Sequence, residues 1–63
     1  MGVRVTLKGL RANNGLTQND MAKRLGVAKS TWNSWENHVT YPSVLQVNKL
    51  LEEFNVSYED IIF

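Results

Sequence analysis

Apolar residues along this chain fall into short groups, most of them opened by a hydroxyl side chain and closed by Asn or Gly. Leu7 and Leu10, with Ala12 as a third member, recur at helical spacing behind Thr6, and predict a capped helix over Leu7–Asn13. The β-branched stretch at residues 3–6 reads as extended. Asn13-Asn14-Gly15 ends the helix, because Asn and Gly tolerate the left-handed backbone. Gly9 inside it lowers helix stability by about 1 kcal/mol relative to alanine and reads as a close contact with another helix.

The same punctuation repeats. Thr17 with Asp20 three residues on predicts a capping box and a helix over Gln18–Leu25, with Met21, Ala22 and Leu25 inward and Gly26 as its stop. A third helix is expected over residues 29–37, where Trp32 and Trp35 are the large apolar side chains. Ser43 and Gln46 repeat the capping pattern for a helix over Val44–Phe54, with Val44, Leu45, Val47, Leu50, Leu51 and Phe54 as its apolar stripe. Asn55 closes that helix. Ser57 and Asp60 open a fifth, short helix, and Ile61, Ile62 and Phe63 finish the chain. The expected fold is all-α, a compact five-helix bundle forming one domain over residues 1–63.

Composition narrows what such a bundle can do. Sixty-three residues bury only about 60% of the unfolded surface, so the core has little to spare. No cysteine and one histidine leave neither disulfides nor a metal cluster to help, and no cofactor is implied. No apolar run approaches the roughly 18 residues needed to span a bilayer. The opening Met1-Gly2-Val3-Arg4-Val5 is too short and mixed for a signal peptide, so a cytoplasmic address is expected. Net charge is +1, but it is unevenly spread. Residues 1–38 carry six cations (Arg4, Lys8, Arg11, Lys23, Arg24, Lys29) against Asp20 and Glu36, a net +4. Residues 39–63 carry Lys49 against Glu52, Glu53, Glu59 and Asp60, a net −3. A basic front and an acidic back suit a polyanion docked on one side.

The informative stretch is residues 18–37. Gly26-Val27-Ala28 is a tight corner between two helices, and Gly26 supplies the positive φ that such a corner needs. Ala22, four residues earlier, provides the small side chain where the helices cross. If Trp32 and Trp35 seal the joint, then Lys29, Ser30, Asn33 and Ser34 form one outward polar stripe without an acid, the chemistry of a helix entering the DNA major groove. Lys29 can donate to guanine or to a phosphate, and Asn33 can pair with adenine. The tryptophans could instead be a stacking platform for single strands, but their spacing matches the inner face. His38 has no nucleophile or second titrating partner in the motif, so no catalytic set is expected and the chain is not read as an enzyme.

These residues carry a family resemblance. Leu7-Lys8-Gly9-Leu10-Arg11, Gly15-Leu16-Thr17-Gln18 and Met21-Ala22-Lys23-Arg24-Leu25-Gly26-Val27 resemble the Cro/repressor-type (XRE) helix-turn-helix family. The likeness continues through Ser30-Thr31-Trp32, Trp35-Glu36-Asn37, Pro42-Ser43 and Val56-Ser57-Tyr58-Glu59-Asp60-Ile61. It implies a lambda-repressor-like domain that binds double-stranded operator DNA, commonly as a homodimer, in a repressor or Cro-like regulator of phage or bacterial type. The sequence shows no evident small-molecule ligand site, and no membrane partner is expected. By the same resemblance Lys29, Ser30, Asn33 and Ser34 face bases. Gln18 and Asn37, with Thr17 at the helix start, hold phosphates. Arg11 and Glu36 form a structural ion pair. Ala28 departs from the serine that often caps the recognition helix, and His38 from a common glycine. The alternative function is a protein-interaction module, antitoxin-like or anti-repressor-binding, that uses the acidic rear helices.

Overall fold

Capping side chains set where each helix begins. In a computed structural model, which describes residues 4–63, Thr6 Oγ1 accepts from Gly9 N at 3.0 Å and starts α1 (Leu7–Asn13). Thr17 and Asp20 exchange side-chain and backbone hydrogen bonds of 3.1 and 3.0 Å at the start of α2 (Gln18–Leu25). Ser43 and Gln46 do the same for α4 (Val44–Phe54). Between them α3 (Lys29–Glu36) starts at Ala28, which offers no side-chain cap.

Left-handed residues stop the helices. Gly26 has φ 69° and ψ 33° at the end of α2, and Asn55 has φ 52° at the end of α4. Asn14 Nδ2 donates to Leu10 O at 2.8 Å, and Gly15 (φ 66°) turns the chain after α1. His38 also takes positive φ, 60°, in the turn after α3.

The fifth helix is not formed. Tyr58–Asp60 is a single 3-10 turn, in which Ser57 N donates to Asp60 Oδ2 at 3.1 Å. Three residues cannot repay the nucleation of an α-helix, and the chain extends instead. Ile61–Ile62 (β2) pairs in parallel with Val5–Thr6 (β1), with Val5 opposite Ile61 and Thr6 opposite Ile62. The fold is therefore four helices plus a short parallel strand pair that ties the two ends of the described chain together. Val3, part of the same extended expectation as Val5, lies outside the described residues.

The core draws on all four helices and β2. Leu7, Leu10, Met21, Ala22, Leu25, Trp32, Trp35, Leu50 and Ile61 are buried in one cluster. Trp32 and Trp35 meet edge to face at 5.8 Å between ring centroids, a favourable aromatic geometry. Three expectations fail. Ala12 is exposed, because α1 turns only its Leu7 and Leu10 side inward. Val44 and Leu45 are 76% and 81% exposed: α4 buries Leu50 deeply and packs Leu51 and Phe54, leaving its first turn outside the core. Gly9 makes no close approach to another helix. A Cβ there would meet Thr6 Oγ1 at 3.3 Å and Val5 Cβ at 3.6 Å, both in the strand leading into its own helix. No helix among the described residues is long and apolar enough to cross a membrane.

Candidate nucleic-acid interface

The corner between α2 and α3 is built from backbone and core together. Gly26 N donates to Lys23 O at 3.3 Å and Val27 N to Ala22 O at 3.0 Å, so the last carbonyls of α2 are satisfied while the chain reverses. Ala22 is 2% exposed, consistent with a small residue where two helices press together. Below the corner Met21, Leu25, Trp32 and Trp35 are buried. With both indoles inward, Lys29, Ser30 and Asn33 stand exposed on α3, while Ser34, farther along, is half-buried.

Glu36 is the only acid on α3, and it is turned away from solvent, its side chain 3% exposed. Its Oε2 accepts from Arg11 Nε at 2.6 Å and from the Trp32 indole N–H. Its Oε1 accepts from Arg11 Nη2 at 3.3 Å and from Gln18 Nε2 at 3.2 Å. Four donors fill the roughly four acceptor positions of a carboxylate. Arg11 also donates to Leu16 O at 3.1 Å, so one guanidinium ties α1, the α1–α2 turn and α3. Burial alone pushes the Glu36 carboxyl upward. Hydrogen bonds from Arg11, Trp32 and Gln18, with the Arg11 charge, outweigh it and hold the group below the ordinary glutamate range. The hydrogen bond to Glu36 raises the Arg11 guanidinium in turn.

Gln18 joins this cluster to the exposed face. Its Nε2 also donates to Asn33 Oδ1 at 2.9 Å, and Asn37 Nδ2 donates to the same oxygen at 3.2 Å. Both Gln18 amide hydrogens are thus engaged inside the protein. Asn37 keeps a second N–H, and Thr17 is occupied as a cap through its oxygen. The link from Gln18 to Asn33 has no signature at the level of sequence. The two residues are fifteen positions apart, and only the angle between α2 and α3 brings them together.

Lys49 is a further residue that sequence reasoning did not single out for this region. Its ammonium reaches the corner, 3.5 Å from where a Cβ on Gly26 would lie. Its only advance signal is being the one cation of an acidic rear half. Arg24, from the basic half, reaches the other way. It lies 3.6 Å from Glu53 and over the Phe54 ring at 5.9 Å, so it serves the α2–α4 contact. Lys29 has no carboxylate within ion-pair distance among the described residues.

Comparison with known proteins places the chain among helix-turn-helix domains. A family model described as a helix-turn-helix domain matches residues 6–62. An HTH-type transcriptional regulator of Methanocaldococcus jannaschii is 42% identical over 55 residues, which cover 87% of this chain and 83% of that protein. One from Archaeoglobus fulgidus is 36% identical over 59 residues, 94% of this chain and 83% of the relative. Antitoxin PezA of Streptococcus pneumoniae is 32% identical over 56 residues, 89% of this chain. The matched stretch spans only 35% of that antitoxin. On the span of the family match and these identities, the chain belongs to the helix-turn-helix domain family of the XRE type.

Proposed function

We propose that residues 1–63 act as a single DNA-binding domain of a transcriptional regulator, reading double-stranded DNA through α3. One observation carries the reading: the first turns of α3 expose Lys29, Ser30 and Asn33 while the sole acid of that helix is buried under Arg11. A helix entering the major groove needs donors on its outer face and no carboxylate facing phosphates. Lys29, Ser30, Asn33 and Ser34 are the base-facing set, with Ser34 at its edge. Phosphates are held by the spare Asn37 N–H, the Thr17 hydroxyl and the backbone N–H groups opening α2, which lack intrahelical partners. Gln18 contributes there through its main chain, since its side-chain donors serve Glu36 and Asn33. Arg11, Ala22, Gly26, Trp32, Trp35 and Glu36 are the scaffold of the reading head.

The regulator works as a Cro-like repressor and binds as a homodimer, with two half-sites about 34 Å apart. Exposed Val44, Leu45 and Tyr58, on α4 and the 3-10 turn, supply uncharged apolar surface for a twofold mate. Selection from random duplex DNA tests the whole reading. The expected product is a near-palindrome, bound with an affinity that falls log-linearly with salt. A chain that stays monomeric with and without that DNA in the ultracentrifuge refutes the dimer. Likeness to an antitoxin favours a second reading, in which the α4 surface takes a protein partner instead. In that case Lys29→Ala and Asn33→Ala would leave partner binding intact.

A further inference from the structure

The amide of Asn33 is polarised by its neighbours, and that decides which base it can read. Glu36 is the starting point. A carboxylate paired with Arg11 only accepts, so the Gln18 amide must turn its nitrogen toward it. The same nitrogen then faces Asn33 at 2.9 Å, so Asn33 must answer with its oxygen. Asn37 donates to that oxygen from the other side at 3.2 Å. An amide oxygen accepts two hydrogen bonds, and both positions are filled. Neither hydrogen on Asn33 Nδ2 has a partner among the described residues' side chains, and the residue is exposed. Sequence alone allowed Asn33 to pair with adenine through one donor and one acceptor. The folded chain has spent the acceptor.

We propose that Asn33 is a donor-only reader that selects guanine at its position in the binding site and disfavours adenine. Guanine presents two acceptors in the major groove, N7 and O6, whereas adenine presents one acceptor beside an amino donor. An amide offering only N–H groups meets both guanine acceptors, but sets donor against donor at the adenine amino group. Gln18 and Asn37 are the positioning residues of this choice, and Glu36 is its anchor. Lys29, four residues earlier on the same helical face, is likewise a pure donor, so the two side chains ask for the same kind of base edge. This inference rests on the proposed reading of DNA by α3.

The test selects sites from random duplex DNA with the parent chain and with Asn33→Ala. The base pair whose preference disappears in Asn33→Ala is the one that Asn33 reads. A G·C pair is expected there, favoured about tenfold over A·T, and 7-deazaguanine at that position should weaken binding by a similar factor. An A·T pair, or indifference to the loss of guanine N7, overturns the proposal. The double variant Gln18→Ala/Asn37→Ala frees the amide oxygen and should move the preference at that one position toward A·T. An unchanged preference there overturns the positioning role. The parent reading fails in a different way: no enriched motif from the parent chain removes α3 as the reader, whereas an identical motif from Asn33→Ala overturns the role of Asn33 and leaves Lys29, Ser30 and Ser34 in place.

Discussion

Removing the Glu36 carboxylate is the most searching perturbation of this fold, because four donors from three elements converge on it. In Glu36→Ala the Trp32 indole N–H loses its acceptor, and the indole it belongs to is 0% exposed in the parent fold. An unsatisfied buried donor costs about 1–3 kcal/mol. The charged hydrogen bonds from Arg11 add about 1.5–3 kcal/mol. Arg11 recovers part of this, since its side chain is 19% exposed and can turn toward water. A net loss of about 2–5 kcal/mol follows. A domain of this length holds roughly 3–9 kcal/mol in total, so the loss removes at least about a fifth of its stability and lowers the urea midpoint accordingly. Urea titration followed by tryptophan fluorescence reads the change directly, because both indoles lie in the core. Arg11→Ala and the double variant complete a cycle. The double variant should lose less than the two single losses combined, by at least about 1 kcal/mol. A Glu36→Ala variant within about 1 kcal/mol of the parent, or strictly additive losses, would refute the account of Glu36 as the knot between α1, α2 and α3.

Three further outcomes follow from single positions. Ala28→Ser should stabilise the domain by about 1 kcal/mol, seen as a rise in Tm, because Ala28 already has extended cap geometry (φ −72°, ψ 151°) and lacks only the acceptor; an unchanged Tm would mean the α3 start is capped in some other way. Gly26→Ala and Gly15→Ala should each lose about 1–2 kcal/mol in the same urea assay, since both need φ near 70° while neither added methyl meets an atom closer than 3.5 Å. A much larger loss at Gly26 would show crowding by Lys49 instead of backbone strain. The pH dependence has a definite sign. The Glu36 carboxyl is held lower in the folded chain than in the unfolded one, so its contribution is complete above the ordinary glutamate value, about 4.3, and is lost as pH falls through the lowered folded value. Asp20, lowered by its hydrogen bonds from Thr17, acts in the same direction. The urea midpoint should be flat from neutral pH to about pH 5 and drop below it; a midpoint unchanged at about pH 2 contradicts the assignment.

Sequence alone determined the helical punctuation. Thr6, Thr17 and Ser43 open helices and Gly26 and Asn55 close them, because capping and left-handed turns are local chemistry within three or four residues. The inward choice of Trp32 and Trp35 was legible for a similar reason, since a core this small needs their area. What depended on distant partners was not legible. Ser57 and Asp60 mark a helix start as clearly as Thr17 and Asp20 do, yet the chain makes one 3-10 turn and then extends. Its next two residues find a parallel partner in Val5–Thr6, more than fifty positions away. Val44 and Leu45 fit the apolar stripe of α4, but the first turn of that helix lies outside the core and leaves them in solvent. The candidate site divides along the same line. Which residues of α3 face outward follows from helical period. How the Asn33 amide is turned follows from Gln18 and Glu36, two contacts that exist only once α2 and α3 have crossed. A side-chain amide has no preferred direction of its own, so only the tertiary structure could decide it.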